Sequence, residues 1–159
     1  MLGYLEVTID KFTFRVAPDR WYTPEGVWVQ PSPLTPLPEG EGSQWVRVGL
    51  SDFLQQRSGD IAFAEIKPVG TTLAAGDEIA SIETIKVNVA LSSPLSGKVL
   101  EVNPAMDTAP EAINQDPYGA GWLAVIAASD WETDRSRLLD AAAYFEAIQR
   151  EVAEELKNS

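Results

Sequence analysis

The chain has 159 residues, 45% apolar and 23% charged, the balance of a folded globular protein of one domain. Its 24 acids against 12 bases give a net charge of −12, which repels nucleic-acid phosphates and anionic membranes and suits basic patches on partner proteins. With no cysteine and no histidine, it lacks disulfides, thiol nucleophiles, His-dependent triads and the usual zinc and iron–sulfur ligands, so no metal site is expected, and a self-sufficient enzyme would have to work with carboxylates, Lys or Tyr.

Met1 to Glu6 carries no basic n-region, and no apolar run reaches membrane-span length, so a soluble cytoplasmic protein is expected. Residues 4–16 alternate loosely, as a strand or an arm. Trp21-Tyr22-Thr23-Pro24-Glu25-Gly26 reads as a turn, and Val27-Trp28-Val29 begins a strand. Pro31, Pro33, Pro36 and Pro38, followed by Gly40 and Gly42, predict a proline-rich surface loop over 30–42, because proline cannot donate to a ladder. Gln44 to Leu50 is the return strand. Ser51 caps a short helix that Gly59 ends. Ile61 to Ile66 is strand-like, Pro110 to Asn114 a short helix led by proline, Asp116-Pro117-Tyr118-Gly119 a turn, and Trp122 to Ala127 the last strand. Leu138, Ala142, Phe145, Ile148, Val152 and Leu156 recur at steps of three or four. They predict an amphipathic C-terminal helix over about 133–157, capped at Thr133 and packed on a sheet. The pattern as a whole is a mainly β sandwich or flattened barrel, with its core over about 20–128.

The segment from Gly76 to Gly97 is the one that points to chemistry. Lys86 lies ten residues after Gly76 and eleven before Gly97, at the tip of any hairpin the segment forms. Ile85 and Val87 give this cation an apolar collar. The usual Asn-Gly and Asp-Gly hairpin dipeptides are missing, so something other than turn propensity fixes the tip. By itself an exposed lysine is a solvated charge, and the chain has five: Lys11, Lys67, Lys86, Lys98 and Lys157. The position between two glycine turns sets Lys86 apart.

Gly76-Asp77-Glu78, Ile82-Glu83-Thr84-Ile85-Lys86-Val87, Ser93-Pro94-Leu95-Ser96-Gly97-Lys98-Val99, Ile113-Asn114, Asp116-Pro117-Tyr118-Gly119 and Gly121-Trp122-Leu123 follow one another in order. Together they closely resemble the H protein of the glycine cleavage system, over about residues 20–145. The resemblance implies a hammerhead-type barrel-sandwich hybrid, a lipoyl domain with short helices and a C-terminal helix. It implies lipoic acid attached covalently through an amide to Lys86, with Glu83, Thr84, Ile85 and Val87 read by the lipoate-attaching enzyme. The chain is then a carrier in glycine catabolism and not itself an enzyme. It serves glycine decarboxylase, the aminomethyltransferase and lipoamide dehydrogenase by shuttling an aminomethyl group on the lipoyl-lysine arm. The cofactor brings the sulfur chemistry that a cysteine-free chain lacks. The Met-Lys-Met tip of a biotin carrier is absent. Where H proteins usually have an acid and a histidine before the first-strand tryptophan, this chain has Gly26 and Val27. Where they have an acid four residues beyond the lysine, it has Ala90. An H-like lipoate carrier of another pathway, heterodisulfide-reductase-like sulfur oxidation or lipoate relay, is the alternative these departures raise.

Overall fold

Two short strands, β1 (Leu5–Ile9) and β2 (Phe12–Val16), open the computed structural model, which describes residues 3–36 and 44–157. They form a hairpin in register Leu5↔Val16 to Ile9↔Phe12, so the loose alternation of 4–16 resolves into two strands. Asp10 makes the bend with a left-handed φ of 59°, a conformation that aspartate tolerates better than most residues.

β3 (Trp21–Tyr22), β4 (Val27–Pro36) and β5 (Gln44–Leu50) follow. The predicted loop over 30–42 is corrected in its first half. Strand β4 continues to Pro36, with Pro31 opposite Val46 and Pro36 opposite Gln44 across an irregular stretch. The reason lies in the neighbours. β3 pairs with β4 at Trp28 and Val29, and beyond Val29 β4 has β5 alone beside it among the described residues. A strand with one free side accommodates residues that cannot donate. The rest of the predicted loop, residues 37–43, lies outside the described residues.

α1 (Asp52–Ser58) begins at the predicted cap. The Ser51 hydroxyl accepts from the Leu54 amide at 3.2 Å, and Gly59 ends the helix. After it come β6 (Ile61–Ile66), β7 (Thr72–Leu73), β8 (Glu78–Thr84), β9 (Asn88–Ser92) and β10 (Gly97–Val102). Short helices α2 (Ala105–Thr108) and α3 (Ala112–Gln115) lead to β11 (Ala124–Ala128). The chain closes with α4 (Trp131–Arg135), β12 (Leu139–Asp140) and α5 (Ala141–Lys157).

The single helix predicted from Thr133 is therefore two helices with a strand between them. Leu139 and Asp140 pair with Tyr22 and Trp21, and the Asp140 carboxylate accepts from the Ala143 amide at 2.8 Å, capping α5. The α5 residues that are buried are Ala141, Tyr144, Ile148 and Val152; Ala142 is exposed and Leu156 is largely so. A strong cap at Asp140 and a pairing demand from β3 override the three-and-four spacing that ran back through Leu138.

The strands make a seven-stranded sheet in the order β12-β3-β4-β5-β11-β10-β7, a three-stranded sheet β6-β8-β9, and the β1-β2 hairpin. All strand pairings among the described residues are antiparallel and the sheets stay open, so the mainly β sandwich is not a closed barrel. Val29, Val48 and Ile126 of the large sheet pack in one core with Ile79, Ile82 and Leu91 of the small one. A second, aromatic core holds Phe14, Tyr22, Trp28, Phe53, Tyr144 and Ile148. The hairpin, α1 and α5 meet there, with Tyr22 and Tyr144 stacked at 4.4 Å. Among the described residues no helix is long and apolar enough to cross a membrane.

Candidate functional site

The β8–β9 hairpin is held to the body by its inward residues. Ile79, Ile82 and Leu91 are buried, while Glu83, Asn88 and Ala90 face outward. Its register, Ile82↔Val89 and Glu83↔Asn88, leaves Ile85, Lys86 and Val87 as the tip. The Thr84 amide donates to the Val87 carbonyl at 2.9 Å and closes the loop. The Thr84 hydroxyl accepts from the amides of Lys86 at 3.2 Å and Val87 at 3.0 Å. A side-chain oxygen thus fixes this bend without the positive-φ residues of an Asn-Gly turn: it satisfies backbone donors that the bend would leave unpaired.

Around this turn the four residues named for ligase recognition divide by exposure. Ile85 is 94% exposed, Val87 is 45% exposed and Glu83 is exposed, whereas Thr84 is only 7% exposed. The first three are available to a partner's surface; Thr84 is turned inward and shapes the backbone on which they sit.

Lys86 is exposed, and its ammonium group enters no ion pair among the described residues. Its stem passes over Gly59, where an added Cβ would stand 3.6 Å from Lys86 Cε. Gly59 has a φ of 92°, suited to glycine, and its amide donates to Gln55 O at 3.1 Å as α1 ends.

Asn114 of α3 fastens this platform. Its Nδ2 donates to Gln55 Oε1 and to the Gly59 carbonyl, both at 3.0 Å, and its Oδ1 accepts from the Ile61 amide at 2.9 Å. Ile61 in turn pairs with Thr84. One amide side chain therefore links α3, the end of α1, the start of β6 and the base of the lysine turn. Sequence reasoning quotes Asn114 within a matching stretch but assigns it no work, and it passes over Gln55. Their partners lie more than 50 residues away along the chain, beyond the reach of local spacing.

The two departures before Trp28 have a structural reason. A Cβ on Gly26 would stand 2.8 Å from the Tyr144 hydroxyl and 3.0 Å from Ser51 Oγ, and those two oxygens bond each other at 2.7 Å. Tyr144 of α5 fills the space a side chain there needs. Val27 is 1% exposed and packs in the apolar core, where a carboxylate would be costly to bury.

The family model for glycine cleavage H-protein matches residues 38–151. The chain is 39% identical over 132 residues to the glycine cleavage system H protein of Mycobacterium avium, covering 81% of this chain and 93% of the relative. It is 36% identical over 133 residues to that of Thermus thermophilus, covering 84% and 95%. The crystal structure of a glycine cleavage system H protein from Mycobacterium marinum superposes with a TM-score of 0.68 at 35% identity, over 81% of this chain and 95% of that one. A tip lysine on a Thr-locked hairpin, an open antiparallel sandwich and these similarities agree, and the chain belongs to the glycine cleavage H-protein family.

Proposed function

We propose that this chain is the lipoyl carrier of a glycine cleavage system, with lipoic acid joined by an amide to Nζ of Lys86. The observation that carries the reading is an exposed lysine, unpaired among the described residues, at the tip of a turn fixed by a buried threonine hydroxyl. When attached, lipoic acid supplies the dithiolane that carries an aminomethyl group between enzymes, chemistry no side chain of this chain offers.

The chain's own residues do the presenting. Thr84 holds the backbone of the tip, so that Lys86 projects from a defined bend. Gly59 leaves room for the lysine stem to lie close to α1 or to swing away. Ile85 and Val87 ring the attachment point with apolar surface that water leaves readily when the tip enters an active site. Tethering raises the local concentration of the carried group at each enzyme in turn. Glycine decarboxylase, the aminomethyltransferase and lipoamide dehydrogenase are the partners of this role. The lipoate-attaching enzyme reads Glu83, Ile85 and Val87 by contact and Thr84 through the turn it shapes.

Expression in a host able to make lipoate tests the attachment. Intact mass gains a lipoyl increment in the native chain and none in Lys86→Arg. An unmodified native chain beside an active ligase rejects the reading. Glycine–bicarbonate exchange with a decarboxylase from the same source tests the pathway. Gly26, Val27 and Ala90, neutral where the family usually carries ionisable groups, favour a second reading as a lipoate carrier for sulfur oxidation or lipoate relay. A lipoylated protein that supports no exchange selects that second reading.

A further inference from the structure

The small sheet β6-β8-β9 turns one face to the core and the other outward. Phe63 pairs with Glu83 and Glu65 with Ser81 across β6 and β8. The alternating residues Ala64 and Ile82 point to the core. Phe63 is 66% exposed, and Val69, just past β6, is 62% exposed. Between this face and α2 lies a recess of about 730 Å³ lined by Phe63, Glu65, Val69, Glu83 and Asp107.

The charges around the recess are one-sided. Glu65, Glu83 and Asp107 form no ion pair among the described residues. Lys67, the cation beside the recess, faces Glu78 at 4.0 Å. Lys86, the cation at the end of the same hairpin, loses its charge on acylation. Another groove, more apolar, differs. It lies among Ile9, Phe12, Phe14 and Val152, and its rim cation Arg57 is already paired with Glu151 and Glu155.

We propose that the Phe63 face is the docking surface for the enzymes that receive the tip. Each such partner presents an apolar slot for the Phe63 ring, rimmed by lysine or arginine that pairs with Glu65, Glu83 and Asp107. The inference rests on the lipoyl-carrier reading and adds the side of the hairpin on which partners bind. Phe63 stands on the strand next to Glu83, three residues from Lys86, so a partner gripping the ring has the arm at the edge of its contact. Loss of the lysine charge leaves the face more acidic toward a basic rim, so the acylated protein binds more tightly than the unmodified one.

The test is binding of the full-length lipoylated protein to the aminomethyltransferase of the same organism, by calorimetry at low and high salt. Phe63→Ala raises Kd by about tenfold or more, as truncation of a central aromatic anchor does. Glu65→Lys raises it several-fold at low salt, and the gap from the native protein narrows at high salt. Thermal midpoints of both variants stay near the native value, because both side chains are exposed. A Kd within about twofold of native for Phe63→Ala overturns the proposal, and so does a larger loss from Phe12→Ala than from Phe63→Ala. No binding by native protein of verified lipoyl content overturns instead the glycine cleavage reading on which the proposal stands.

Discussion

Replacing Asn114 by alanine removes three hydrogen bonds at once: two donated to Gln55 Oε1 and Gly59 O, one accepted from the Ile61 amide. Each contributes roughly 0.5–1.5 kcal/mol net in a partly buried setting, so together they account for roughly 2–4 kcal/mol. For a chain of this size each kcal/mol shifts the thermal midpoint by about 2–4 °C, so Asn114→Ala melts roughly 5–15 °C lower. Urea unfolding followed by circular dichroism measures the free energy, with an unchanged denaturant slope if only stability has altered. Hydrogen exchange supplies the local signature. The amides of Ile61, Lys86 and Val87 lose protection, because Ile61 pairs with Thr84 and Thr84 holds the tip. A loss under about 0.5 kcal/mol with unaltered exchange at the tip refutes the idea that Asn114 fastens the lysine platform.

Thr84→Val keeps the shape of the side chain and deletes the hydroxyl that accepts from two amides, so it costs roughly 1–2 kcal/mol and slows lipoyl attachment, while Thr84→Ser restores the rate in time-resolved intact-mass assays. Asp140→Ala removes the cap of α5 and costs about 1 kcal/mol, whereas Thr133→Ala changes stability by less than about 0.5 kcal/mol; urea titrations compare the two. Burial pushes the Tyr118 phenol up to about 12, and burial likewise raises Tyr22 and Tyr144. An unfolded tyrosine ionises near about 10, so this stability is whole below that pH and is lost as pH rises through the folded value. Circular dichroism and the tyrosinate absorbance of these three buried tyrosines then change together above about pH 10, and ionisation of all three in a still-folded chain contradicts the assignment.

The features legible in the sequence are those set by neighbours in the chain. Ser51 and Gly59 bracket α1 because cap chemistry acts over three or four residues. Two glycine turns at nearly equal distance place Lys86 at a tip. The features that were not legible depend on contacts across long separations. Nothing local marks Asn114 as the tie between α3 and β6. Nothing near Thr133 reveals that β3 draws Leu139 and Asp140 into a sheet and restarts the helix at Ala141. The prolines after Gln30 break a strand only if the ladder needs their missing donors, and β4 has one side without a partner strand there among the described residues. At the tip, the identity of Thr84 carries the turn through its hydroxyl, information that a search for Asn-Gly overlooks.

Lys86 holds no partner charge among the described residues, and this has an outcome for how loading can be observed. Acylation of that nitrogen breaks nothing in the body, so empty and loaded molecules unfold at nearly the same temperature. Heat or denaturant cannot tell the two populations apart, and purification by stability enriches neither. Methods that weigh the molecule or count its charge do distinguish them, one positive charge fewer after each attachment.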